Sequence, residues 1–153
     1  MGDLKTARTR REFFVTAAGA AAFAVAPGAV QAEPADVAAA IEKAFGGKKA
    51  VEGKIKLDLP SIAENGLVVP LNFEVESPMT EGDYVKTVRL YAEGNPQPTL
   101  ADYHFTPMSP KAAAQIRIRL AKTQNIVAVA ETSKGEVYTT KKEVKVTIGG
   151  CGG

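Results

Sequence analysis

The chain has 153 residues, enough for one ordinary domain with extensions. Apolar residues make up 45% of it and charged residues 24%, which excludes a disordered chain and a membrane-embedded one. Lys and Arg number 19 against 17 Asp and Glu, a net charge of +2 that gives no basis for nucleic-acid binding.

Residues 1–32 read as an export signal. Arg10 and Arg11 precede the apolar pair Phe13-Phe14, and a run from Val15 to Val30, rich in Ala and Gly, follows. Val30-Gln31-Ala32 is a small-residue cleavage site, so the mature chain is expected to begin at Glu33. The twin arginine resembles a Tat signal, which a receptor reads as an address. The alternative, a membrane anchor, fits less well, because a spanning helix needs about 20 predominantly apolar residues. Export in this form implies the periplasm, and folding before transport makes a co-exported partner subunit reasonable. Removing the signal takes away Lys5, Arg8, Arg10 and Arg11 with Asp3 and Glu12, leaving 15 basic and 15 acidic residues. The excess positive charge belongs to the signal.

A short helix comes next. Val37, Ile41, Ala44 and Phe45 fall on one helical face, and Gly46-Gly47 ends it. Its apolar face packs on this domain or on a partner; the pattern leaves both open.

From Val51 the period drops to two. Ile55, Leu57 and Leu59 alternate with Lys54, Lys56 and Asp58; Val69, Leu71, Phe73 and Val75 alternate in the next run. Less regular runs include Val85 to Tyr91 and Tyr103 to Phe105. They continue through Ile116 to Leu120, Ile126 to Val129, Val137-Tyr138, and Val144 to Ile148. Turn signals separate them, among them Glu64-Asn65-Gly66, Gly94-Asn95-Pro96 and Lys134-Gly135-Glu136. About seven short strands with regular turns predict an antiparallel immunoglobulin-like β-sandwich. The expected organisation is a signal over 1–32, helix plus sandwich over 33–148, and a C-terminal arm over 149–153.

That arm is Gly149-Gly150-Cys151-Gly152-Gly153, and Cys151 is the chain's one cysteine. Glycine loses more conformational freedom on ordering than any other residue, so a flexible arm is expected, rooted in the last strand at Ile148. Three extended residues would carry the sulfur roughly 10 Å from the sheet. With no second cysteine, the thiol serves intermolecular chemistry. No helix N-terminus precedes it, and Lys145 is the nearest upstream cation. An unperturbed thiol has a pKa of about 8.5, so it is mostly protonated at neutral pH. This pattern fits a handle modified by other proteins, not an enzyme. The competing use is a tail cysteine that only makes disulfides.

Other candidates are weaker. His104, the sole histidine, lies in Asp102-Tyr103-His104-Phe105 and is expected to be a packed or partly exposed strand residue. Asp102 to Met108 is aromatic and apolar, either core or a partner-binding patch. Arg117 and Arg119 share one strand face, solvated or in contact with a partner. No spacing of His, Cys and carboxylates points to a metal site.

The twin arginines at Arg10-Arg11, the helix ending at Gly46-Gly47, the sandwich-like body and the terminal Gly149-Gly150-Cys151-Gly152-Gly153 resemble the SoxY family. So does Leu59 to Gly66 followed by Val68-Val69-Pro70. SoxY proteins are the sulfur-carrier subunits of bacterial thiosulfate oxidation. The resemblance implies that Cys151 is the covalent attachment site and that Gly149, Gly150, Gly152 and Gly153 form a swinging arm. It implies a SoxZ-like subunit as heterodimer partner. It also implies three enzymes that work on the bound sulfur: a haem-containing SoxXA-like oxidase, a dimanganese SoxB-like hydrolase and a SoxCD-like sulfane dehydrogenase. No resident cofactor is implied; sulfur travels on Cys151 as an S-thiosulfonate or persulfide. Two other readings are an exported β-sandwich binding module using Cys151 only for an intermolecular disulfide, and a ubiquitin-like carrier ending in Gly152-Gly153. The export signal and the strand pattern oppose the latter.

Overall fold

The structure, a computed structural model, describes residues 34–150. The expected signal with Arg10 and Arg11, its cleavage after Ala32, and Cys151, Gly152 and Gly153 lie outside the described residues.

Pro34–Phe45 form helix α1. Proline suits a first helical position, where no intrahelical N–H bond is lost. Asp36 in the first turn and Lys43 in the last complement the helix dipole. Gly46 and Gly47 take positive φ angles of 65° and 68°, and the Gly47 amide caps the Glu42 carbonyl at 3.1 Å.

The strands are β1 (Ala50–Glu52), β2 (Ile55–Asp58), β3 (Ile62–Asn65), β4 (Val69–Val75), β5 (Val85–Ala92), β6 (Thr99–His104), β7 (Ala112–Ile118), β8 (Gln124–Thr132) and β9 (Val137–Ile148). The larger sheet runs β1-β9-β8-β5-β6, with β3 also paired to β9; the smaller runs β2-β4-β7. The predicted sandwich is present. Its ladders are antiparallel except β1 and β3, which lie parallel to early and late stretches of β9. The expected strands at Val137-Tyr138 and Val144–Ile148 are one continuous 12-residue strand.

Alternation explains the core between the sheets. Val69, Leu71, Phe73 and Val75 of β4 meet Val88 and Leu90 of β5 and Ile126, Ala128 and Ala130 of β8. Phe73 also packs against Tyr103 of β6 with the rings tilted, their centroids 5.1 Å apart. Each fully buried aliphatic or aromatic side chain contributes about 1.5–3 kcal/mol.

Helix α1 packs on this domain. Val37 and Phe45 are buried against Tyr91, Val127, Val129 and Val137 on the outer face of the larger sheet. Strands β5 and β8 are therefore covered on both faces, which is why their apolar residues do not alternate cleanly. A register shift between Val85 and Thr87 adds to the irregularity of β5, because an extra residue changes which side chains point inward.

Candidate functional site

Strand β9 delivers the chain to Gly149, and the end of β9 is tied on more than one side. Ile62, Ala63 and Asn65 of β3 pair with Lys145, Val146 and Ile148. Thr123 receives the Val146 amide on its hydroxyl at 2.9 Å. From the sequence the arm is rooted at Ile148; in the structure the chain is still held two residues later. The Gly150 amide donates to the Leu120 carbonyl at 2.9 Å, and Gly150 is buried.

Three backbone bonds link these segments. Gly66 N–H donates to the Ile148 carbonyl at 2.8 Å, Leu120 N–H donates to the Gly66 carbonyl at 2.7 Å, and Gly150 N–H donates to the Leu120 carbonyl. Gly66 and Leu120 each use both of their backbone groups. Leu120 is fully buried, so its side chain anchors the loop while its main chain holds the other two segments.

Glycine is required here by close approach. A β-carbon on Gly149 would overlap the Ala121 carbonyl oxygen, and one on Gly66 would overlap the Leu120 carbonyl oxygen. A β-carbon on Gly150 would lie 2.9 Å from the Gly66 carbonyl oxygen. Gly149 and Gly150 thus lie in a seat made of main chain. Sequence reasoning assigned these two glycines to flexibility and did not identify Gly66 or Leu120. The one available signal was the turn pattern Glu64-Asn65-Gly66, which says nothing about what approaches it.

The weaker candidates are placed as follows. His104 is exposed on β6, its Nδ1 3.3 Å from the Thr87 hydroxyl. Tyr103 and Phe105 face the core and pack on Phe73, whereas Met108 beyond them is 93% exposed. Burial pushes the Tyr103 phenol above its ordinary pKa. Arg117 and Arg119 are exposed at the end of β7 and line an open groove with Pro96 and Leu100 at the start of β6. Among the described residues there is no group of three or more His, Cys, Asp and Glu able to hold a metal ion. None of their helices is long and apolar enough to cross a membrane.

No curated protein matches the chain. Among solved structures, the sulfur carrier protein SoxY from Chlorobium limicola f thiosulfatophilum is similar at 31% identity. Its TM-score is 0.64, and the match covers 74% of this chain and 98% of that one. A superoxide reductase (neelaredoxin) from Ignicoccus hospitalis shares the fold at 21% identity and TM-score 0.56, covering 70% of this chain and 86% of its own. A putative superoxide reductase from Thermotoga maritima does so at 14% identity and TM-score 0.53, covering 67% and 89%. The protein-family model for "Sulfur oxidation protein SoxY" matches residues 41–151, from the middle of α1 through the whole sandwich to the cysteine. By that match and by the likeness to the Chlorobium protein, the chain belongs to the SoxY family of sulfur oxidation proteins.

Proposed function

We propose that this chain is the sulfur-carrier subunit of periplasmic thiosulfate oxidation, bearing its cargo on the thiol of Cys151. The observation that carries this reading is the extent of the family match, whose last residue is Cys151. The Chlorobium relative is itself a sulfur carrier. Cys151 is the chain's one cysteine, so no internal disulfide competes for it. In the sequence it follows directly on Gly150, whose amide is held by the Leu120 carbonyl.

The chemistry follows from a thiol with no activating base beside it in the sequence. A haem-containing oxidase removes two electrons and a proton as it joins thiosulfate to the Cys151 sulfur, forming the S–S bond of an S-thiosulfonate. A dimanganese hydrolase adds water and releases the terminal sulfone as sulfate, leaving a persulfide. A sulfane dehydrogenase passes electrons from the outer sulfur to its own acceptor while water supplies the oxygens of an S-sulfonate, and a second hydrolysis releases that group as sulfate and restores the thiol. The carrier supplies no catalytic group to these steps. A mostly protonated thiol reacts slowly with stray electrophiles, and narrow glycine flanks let it enter deep sites that an ordinary loop would not fit. A SoxZ-like subunit is the expected heterodimer partner, and the Tat-type signal the route to the periplasm.

Intact mass of protein isolated from thiosulfate-grown cells, with and without reductant, tests the reading. A reducible increment of sulfur or thiosulfonate, absent from Cys151→Ser, is the expected result. A uniform disulfide dimer that never yields an adduct would instead favour a binding module that uses Cys151 only as a tether. Full thiosulfate-dependent turnover by Cys151→Ser in a reconstituted system would overturn the carrier reading.

A further inference from the structure

Asn95 follows β5 in a turn, yet it is fully buried. A buried side-chain amide needs partners for its donor and its acceptor. Asn95 Nδ2 donates to the Arg119 carbonyl at 2.8 Å, and Oδ1 accepts from the Ala121 amide at 3.0 Å. One side chain therefore grips the residues on either side of Leu120. Only one orientation of the amide satisfies both neighbours.

The grip is itself braced. Asn95 Oδ1 also accepts from Gln124 Nε2 at 2.7 Å, and Gln124 Oε1 accepts from the Gly94 amide at 2.6 Å. Gln124 Nε2 reaches the Lys122 carbonyl at 3.1 Å. The connection from β7 to β8 belongs to neither sheet at this point, and Leu120 has already committed its own backbone groups to Gly66 and Gly150. Asn95 takes the place of a neighbouring strand for this segment, with a side-chain amide doing what a peptide group would do in a ladder.

We propose that Asn95 is a positioning residue for the carrier thiol: by fixing Arg119 and Ala121 it holds Leu120 in place, and so sets where Gly150 is seated and Cys151 leaves the body. The role rests on Cys151 being the carrier group. Removing the amide leaves the Arg119 carbonyl and the Ala121 amide without these partners at a part-buried place, so the segment moves to find others. The Gly150 bond is lost with it. Leu120 packs in the sandwich core, whereas the ladder between β5 and β8 does not include this segment.

Amide hydrogen exchange by NMR on the full mature chain tests this, together with the motion of a nitroxide attached to Cys151. In the unmodified chain the Gly150 amide is expected to exchange far more slowly than that of an unstructured glycine; exchange at the free rate overturns the proposal. In Asn95→Ala the Leu120 and Gly150 amides are expected to exchange about tenfold faster or more. The label should tumble faster, while Val88 and Ala128 in the sheet keep their rates. Asn95→Asp keeps the volume and the acceptor for Ala121 and loses the donor to Arg119, so it gives a second reading if the alanine variant does not fold. Unchanged Gly150 exchange, or a loss shared equally by Val88, overturns the proposal. A selective loss at Gly150 in a protein that never carries sulfur in cells would count against the carrier reading and leave the positioning role standing.

Discussion

Between the two sheets, Leu71, Phe73, Leu90 and Ile126 are held by apolar contact, whereas at the end of β9 the segments around Gly66, Leu120 and Gly150 are held by three backbone hydrogen bonds. The two regions fail in opposite ways. A core weakens when atoms are removed, because a cavity forms and contacts are lost. The seat weakens when a single carbon is added, because the peptide planes already touch. Glycine does different work at different places in the chain as well. Gly46 and Gly47 are chosen for a left-handed backbone, whereas Gly66 and Gly149 have room for no side chain.

The largest effect separates chemistry from both regions. Cys151→Ser is expected to abolish reducible sulfur loading completely while leaving the unfolding midpoint unchanged, as intact mass and denaturant titration will show. Leu90→Ala is expected to cost about 2–5 kcal/mol of global stability, since Leu90 is fully buried between the sheets. Urea unfolding measures it, and sulfur loading below the transition should persist. Gly66→Ala is expected to cost about 1–3 kcal/mol by overpacking, because Gly66 lies between β3 and β4 and cannot swing away. Gly149→Ala should cost less, about 1 kcal/mol, because the segment past β9 can lift and forfeit little more than the Gly150 bond. If both alanines cost the same, the seat does not distinguish a glycine held between two strands from one that follows the last strand.

The smallest expected effect is electrostatic. Burial pushes the Tyr91 phenol above its ordinary value, although hydrogen bonding to Arg89 opposes the shift. A raised folded pKa means the native state holds its proton more tightly than the unfolded chain does. Its contribution is therefore full below about pH 10 and is lost as pH rises through the folded value. Tyr91→Phe should flatten the alkaline limb of a stability–pH curve and leave the neutral region alone.

How legible each part was follows from what builds it. Helix α1 and β4 were readable because one face of each is apolar and the other wet, so Val37 with Ile41, and Leu71 with Phe73, keep a clean period. Strands β1 and β3 were missed. They are three and four residues long, pair only with β9, and leave Val51 and Ile62 exposed, so neither carries an alternating signal. The segment 149–153 was conspicuous in composition, through a single cysteine between paired glycines. Its seat was not, because Gly66, Leu120 and Gly150 meet through peptide groups that every residue possesses. Asn95 before Pro96 reads as a turn residue, and nothing local says that its amide reaches a segment 24 residues away.

The parallel pairing of β3 with the end of β9 also has a mechanical meaning. On the proposed carrier reading, tension on Cys151 as a partner enzyme releases the thiol runs back along β9. Bonds to β3 and β8 lie beside that strand, so they are loaded together in shear and not opened one after another. Among the described residues the Gly150–Leu120 bond is the outermost, and it yields first. Its release lengthens the tether by two residues, roughly 7 Å, before any strand of the body feels the pull.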